Sequence, residues 1–443
     1  MEQSKSPAKI GLWTTTALVV GNMVGSGVFL LPATLAAYGG ISILGWIGSS
    51  IGAIFLALLF SHLSKIITNS VGGPYAFTRV GLGDFAAYLV AWGYWFSIWC
   101  TNAAIAVTFV SYLTVFFPVL ATNKILSVMT GISAVWLLTW VNVQGVKEAG
   151  KVQLITTILK LAPLVLISIV GLFYVDFNNF IPFNVSKDSD FGAVAATATL
   201  TLFAYLGLES ATIPSGDIRE PEKTIPRATM IGTSLTIAVY ILATVAVMGM
   251  IPSVDLQKSN APFSDAAAII WGDSARYWVA IGAIISTFGA LNGWILLQGQ
   301  IPYAAAKDKM FPEIFGRENA KKSPYMGLVI SSILITILLL SNLSKGLTEM
   351  FTFMILLTTI MVLVPYLFSA ASYGVIVLQD RFWKKEGISK IIIATMAFIY
   401  SVWAVVGSGQ EIVYWGFVAL LCGIPFYVWM RRNRGDGKNQ EPS

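Results

Sequence analysis

Two ionisable side chains stand where a bilayer tolerates them poorly. Lys160 lies in the run Val152–Phe173, which otherwise carries no charge and is long enough to cross a bilayer as one helix. A cation at that depth is unfavourable by roughly 2.5–3.5 kcal/mol on insertion scales. It sits roughly 13 Å of helix beyond Lys151, too deep for easy snorkelling. Lys160 should therefore face protein or water. Glu209 is the second such group, in the apolar stretch Val194–Pro214. A carboxylate buried there could exchange a proton under mildly acidic conditions. Two buried ions of opposite sign fit a pathway through a membrane better than an anchor in it.

Two interruptions accompany these ions. The first apolar segment holds Gly21-Asn22-Met23-Val24-Gly25-Ser26-Gly27. Glycines at this density weaken a helix and expose its backbone. Close helix packing through Gly21 and Gly25 explains two of them, but not Gly27 or the serine between two glycines. A second interruption, Tyr205-Leu206-Gly207-Leu208-Glu209-Ser210, falls in the sixth segment. Breaks at matching places in two halves of a chain point to a midplane binding site. Free N–H groups at a half-helix start can hold a carboxylate. Free carbonyls at the opposing end can hold an ammonium. An α-amino acid carries both groups.

The elements that must position these residues are membrane helices. Of 443 residues, 56% are hydrophobic and 11% charged, against about 25% charge in a soluble domain. Apolar runs of spanning length recur, which predicts an α-helical bundle and not a barrel of short alternating strands. About twelve spans are expected: Ile10–Ala37, Ile41–Leu63, Phe85–Phe116, Ile125–Val141, Val152–Phe173, Val194–Pro214, Ala228–Ile251, Tyr277–Pro302, Met326–Leu340, Met350–Leu378, Ile391–Val406 and Ile412–Met430. Residues 1–430 form the transmembrane domain, and 431–443 a disordered cytoplasmic tail. No cleavable signal is expected, since no small-residue cleavage pattern precedes Pro32.

Charge fixes an expected orientation. With the N-terminus inside, only Lys124, Lys187, Lys258, Arg276 and Lys345 of the 28 Lys and Arg fall outside, apart from Lys160 within its span. That asymmetry places both termini in the cytoplasm. The +6 balance implies no nucleic-acid partner, because the basic residues sit in loops mostly on one side. Cys100 and Cys422 lie inside spans and offer no disulfide framework or metal motif. His62 ends the second span near Lys65, as a polar residue at the membrane interface would. No cofactor is implied.

Several long motifs then carry a resemblance. The first-span run from Gly21 to Ala33, the sixth-span Gly207-Leu208-Glu209-Ser210-Ala211, the loop Glu220-Pro221-Glu222-Lys223-Thr224-Ile225-Pro226-Arg227-Ala228 and the segment Ala261-Pro262-Phe263-Ser264-Asp265-Ala266 resemble the amino acid–polyamine–organocation superfamily. The branch they resemble is that of bacterial basic amino acid/polyamine antiporters, including arginine/agmatine exchangers, over nearly the whole chain. The resemblance implies ten core helices in a five-plus-five inverted repeat, with helices 1 and 6 broken, plus two peripheral helices. The repeats would span about 10–175 and 190–380, and the peripheral helices about 388–430. It implies alternating access in a bacterial inner membrane, and relatives that are often homodimers.

Carried over by position, Asn22, Ser26 and the backbone of Gly25 and Gly27 would receive a substrate carboxylate. Carbonyls near Phe203 and Leu206 would take the α-amino group. Tyr94, Ile98 and Asn102 match pocket positions, and their spacing puts them on one helical face. Ordinary packing alone would explain Tyr94 and Trp95. Trp294 matches a pocket-lining aromatic, and only position separates it from the other tryptophans. Glu209 would serve proton sensing and gating.

The chain also departs from the arginine-exchanger pattern. Phe203 replaces a tryptophan, and its face attracts a cation less well. Ala204 replaces a serine. Leu356 stands where a serine is expected, with Thr358 and Thr359 nearby. These changes favour a neutral or smaller substrate side chain. Lys160 likewise resembles the neutral amino-acid exchangers and proton-coupled permeases of the superfamily, in which this lysine occupies the place of sodium beside the first-span break. The reading is a sodium-independent amino-acid transporter, an exchanger or a proton-coupled permease. Its substrate is an amino acid or polyamine, its solvent the lipid bilayer, and protons are the candidate coupling ion. The alternative is arginine/agmatine or ornithine/putrescine antiport. A non-transporting sensor would want a signalling domain, and a membrane enzyme a His/Asp/Glu cluster; the sequence offers neither.

Overall fold

The computed structural model describes residues 10–67, 73–144, 161, 164–212, 218–379 and 383–435. Every element longer than a bridge in these residues is helical. The first segment forms two helices, α1 (Leu12–Met23) and α2 (Gly27–Leu35). Next come α3 (Ser42–Ile66), α4 (Pro74–Leu113) and α5 (Lys124–Val143). Then follow α6 (Leu164–Tyr174), α7 (Asp190–Leu202) and α8 (Pro221–Met250). The short α9 (Pro262–Trp271) precedes α10 (Asp273–Lys307), α11 (Tyr325–Ser341) and α12 (Leu347–Gln379). The chain ends with α13 (Trp383–Gly407), α14 (Gln410–Leu421) and α15 (Gly423–Gly435).

Among the described residues, ten helical segments are long and apolar enough to cross a membrane, and two shorter apolar helices accompany them. The protein is an all-α, multi-pass membrane protein. Lipid offers no partner for backbone polar groups, so each span satisfies its own along a helix. Half of the fifth expected span, including Lys160, lies outside the described residues. The third begins earlier than expected: α4 starts at Pro74 and passes through a non-helical Gly83 at φ +83°. Polar residues and that glycine hid the extra turns from a hydropathy reading. The last helix also runs further than the expected span, since α15 reaches Gly435; the residues after it lie outside the described residues. Arginines such as Arg431 and Arg432 suit a helix C-terminus, where the dipole is negative.

Burial separates a core from a flank. The first span is 89% buried over its most apolar window, whereas the last is 17% buried. Polar side chains tie the core helices together, as they do where lipid supplies no hydrophobic force between helices. Gln298 on α10 donates to Ser332 Oγ on α11 at 2.9 Å. Ser332 and Thr139 of α5 share a bond of 2.6 Å. Ser372 of α12 donates to the Phe77 carbonyl of α4 at 2.7 Å. His62 stacks on Tyr373, with ring centroids 5.9 Å apart, so it is a packed ring between helices.

Candidate functional site

The first break begins where α1 stops. Val24 leaves the helical region with ψ at +83°, and its N–H closes the last bond to the Val20 carbonyl. Gly25 donates to the Met23 carbonyl at 2.9 Å. That carbonyl also accepts the Tyr240 hydroxyl at 2.7 Å, so α8 caps the end of α1. Helix resumes at Gly27; the Phe29 N–H closes back on the Ser26 carbonyl at 3.2 Å, and the Gly27 and Val28 N–H groups stand ahead of the first helical bond, as at any helix start. Ser26 stands at that start, 2% exposed, and its hydroxyl has no hydrogen-bond partner. A buried, unpaired hydroxyl beside free N–H groups suits an anion.

The second break follows α7. A 3-10 turn at Phe203–Tyr205 leads to Leu206 in an extended conformation and Gly207 at φ +98°. Only glycine adopts that φ without strain. The two breaks lie against each other. A Cβ added to Gly207 would come within 3.1 Å of Asn22 Cβ, and one added to Gly27 within 3.2 Å of Ala204 Cα and 3.3 Å of Phe203. Glycine at both positions lets the interrupted backbones approach. The Phe203 carbonyl accepts the Leu206 N–H at 3.2 Å and retains a second lone pair.

Glu209 is fully buried and doubly held. Its Oε1 accepts the Tyr94 hydroxyl at 2.8 Å, and its Oε2 accepts the Tyr366 hydroxyl at 2.9 Å. The carboxylate thus clasps α4 and α12 to the second break. Tyr94, expected in the pocket wall, spends its hydroxyl on Glu209. Trp95 is structural in the same way, since its indole N–H donates to Ser331 Oγ at 2.9 Å.

The other candidates cluster on α4, α10 and α12. Ile98 is fully buried, and Trp294 is 5% exposed. Gly25 faces Ala290, one turn before Trp294, at 3.7 Å from an added Cβ. Asn102 Nδ2 donates to Gln298 Oε1 at 2.7 Å, while its Oδ1 is buried and unpartnered. Leu356 lines a cavity of about 590 Å³ with Ala33, Thr34, Thr352, Glu349 and Glu411. At the other end of the first span, Ile10 bridges to Ile218, and the Arg219 N–H donates to the Ile10 carbonyl at 2.9 Å. Lys160 lies outside the described residues.

Four functional neighbours escaped the sequence: Tyr366, Tyr240, Gln298 and Tyr112. Tyr112 donates to the Phe29 carbonyl of α2 at 3.0 Å. A tyrosine in an apolar span reads as packing or as an interfacial ring, and nothing local shows which carbonyl it reaches. Gln298 alone carried a signal, as an uncharged but strongly polar residue deep in a span.

Comparison with known proteins gives the family. A family model described as amino acid permease matches residues 10–430. The chain is 34% identical over 370 residues to the cadaverine/lysine antiporter of Escherichia coli strain K12, covering 82% of this chain and 83% of that protein. It is 32% identical over 427 residues to the arginine/ornithine antiporter of Pseudomonas aeruginosa, covering 92% and 88%. It is 29% identical over 423 residues to the putrescine transporter PotE of Haemophilus influenzae, covering 95% and 96%. The chain therefore belongs to the amino acid permease family, on the basic amino acid/polyamine branch of the amino acid–polyamine–organocation superfamily.

Proposed function

We propose that this chain is a sodium-independent exchanger of cationic amino acids or their diamines, working by alternating access in a bacterial inner membrane. The observation that carries the reading is the contact of two helix breaks around the unpaired, buried Ser26 hydroxyl. Ser26 and the first N–H groups of α2 bind a carboxylate; the carbonyls of Phe203 and Leu206 bind the α-ammonium. Trp294 and Ile98 wall the pocket. The two five-helix repeats, both termini in the cytoplasm and a homodimer belong to the same proposal.

Asn102 favours a cationic far end. Gln298 Nε2 donates to the Leu328 carbonyl at 3.2 Å as well as to Ser332. A backbone carbonyl only accepts, so Gln298 must turn its Oε1 to Asn102. Asn102 then turns its Nδ2 to Gln298 and leaves Oδ1 as a buried acceptor. An unpaired buried acceptor costs about 1–3 kcal/mol, which a substrate ammonium would relieve. The cavity that reaches Leu356 carries Glu349 and Glu411, which attract cations towards it. Glu209 acts as the proton-sensitive clasp of the second break. Lys160 supplies the positive charge that sodium would supply elsewhere in the superfamily.

A second reading keeps a neutral substrate, because Phe203, Ala204 and Leu356 are apolar. Counterflow of labelled lysine in proteoliposomes without sodium, at two pH values, decides between them. Lysine, ornithine, arginine, putrescine and cadaverine are expected to compete. Competition by neutral amino acids alone would select the second reading. A requirement for a sodium gradient would overturn both. Unchanged transport by Lys160→Ala would remove the role given to that lysine.

A further inference from the structure

The flank of the bundle holds a chamber of about 780 Å³ among α4, α11, α15 and the segment after α10, with none of its lining residues in either helix break. Its walls are almost wholly apolar and include Trp92, Trp95, Trp99, Phe315, Leu334 and Phe426. The three tryptophans recur along one face of α4. Their rings are fixed by neighbours: Trp92 stacks on Phe426 at 5.5 Å, and Trp95 meets Phe315 edge-on at 5.4 Å. Two of their indole N–H groups are used inside the protein, Trp92 on the Ala419 carbonyl and Trp95 on Ser331. Trp99 is 6% exposed, and its N–H has no partner.

This chamber shares Phe311, Pro312, Ile314 and Trp429 with a second one of about 850 Å³. The second is polar at its far side, where Lys307 and Lys309 face Glu313. Arg431 lines an adjoining cleft with Lys309. Two of the acids nearby are engaged: Asp84 pairs with Arg79 at 2.9 Å, and Asp308 accepts the Tyr75 hydroxyl at 2.9 Å; Glu313 leaves the two lysines of the second chamber in excess by one charge. An apolar chamber and a cavity with a cationic end therefore adjoin across shared walls.

We propose that these joined chambers are a binding site for one anionic phospholipid. An acyl chain fills the aromatic chamber, and the phosphate lies over Lys307 and Lys309. Charge complementarity selects an anionic headgroup, because each lysine near a membrane surface favours anionic lipid by about fivefold. The position suits a lipid because Phe426 and Trp429 lie on an exposed flank of the last span. The site stands independently of the transport reading.

Native mass spectrometry of the full chain, offered phosphatidylglycerol and phosphatidylcholine with identical acyl chains, tests it. The wild type is expected to retain one phosphatidylglycerol at least tenfold over phosphatidylcholine. Lys307→Gln with Lys309→Gln should bring the two lipids near parity, and Lys307→Arg with Lys309→Arg should keep the preference. Leu334→Trp, which fills the chamber, should lose both lipids while the protein stays monodisperse. Equal retention of the two lipids by the wild type, or unchanged retention in the filled variant, would overturn the site. A lipid-free dimer that Leu334→Trp splits into monomers would assign the groove to a second copy and overturn it equally.

Discussion

The first and second breaks use the same means, glycine and a short stretch of non-helical backbone, and both bury an unpaired serine hydroxyl, Ser26 at one and Ser210 at the other, but only the second adds a carboxylate. At the first, Ser26 is buried without a partner beside the open start of α2. At the second, Glu209 is buried with both oxygens engaged by Tyr94 and Tyr366. A buried polar group left unpaired is an invitation to a ligand. One fully paired with residues from two other helices fixes how those helices sit. The contrast sets the proposed binding break against one whose carboxylate ties two other helices to it, although both interrupt a span.

The largest effect should come from forcing the breaks apart. Gly27→Val would drive a side chain into Ala204 and Phe203, an overpacking that costs about 1–3 kcal/mol. Transport should fall to background in proteoliposomes while the purified protein remains monodisperse. Substantial activity in that variant would refute the close approach as a requirement.

Ser26→Ala sharpens the binding side of the contrast. The hydroxyl has no partner in the protein, so thermal stability should not fall. A hydrogen bond to a charged group contributes about 1.5–3 kcal/mol, so KM should rise about 10- to 100-fold. A drop in Tm with KM unchanged would make Ser26 structural.

Tyr366→Phe should give the reverse pattern. It removes one of two donors to Glu209 and leaves a buried oxygen unsatisfied, a cost of about 1–3 kcal/mol. The expected result is a lower Tm with a smaller change in KM than for Ser26→Ala. If KM shifts more than Tm, the clasp is itself part of the pocket.

The smallest effect belongs outside the membrane. Lys223 pairs with Glu220 at 3.0 Å and holds that exposed carboxyl below its ordinary range. A lowered folded-state value means the pair helps at neutral pH, and the help is lost as pH falls through the carboxyl's own titration. Solvent screens it, so Lys223→Gln should leave Tm at pH 7 unresolved from wild type. A clear fall would show that the pair stabilises the start of α8 more than an exposed ion pair should.

Composition and run length determined the class of molecule, since a bilayer permits few architectures and demands long apolar runs. The glycine-rich breaks were legible too, because helix-weakening residues in a span are locally costly and stand out in one dimension. The positions of Ser26, Gly27, Gly207 and Glu209 followed from that local pattern. Only the tertiary structure decided that Gly27 meets Ala204, that Tyr94 serves Glu209, and that Gln298 orients Asn102. Those facts depend on which faces of distant helices meet. A tyrosine or glutamine in a span carries the same local signal whether it reaches a carboxylate, a carbonyl or lipid.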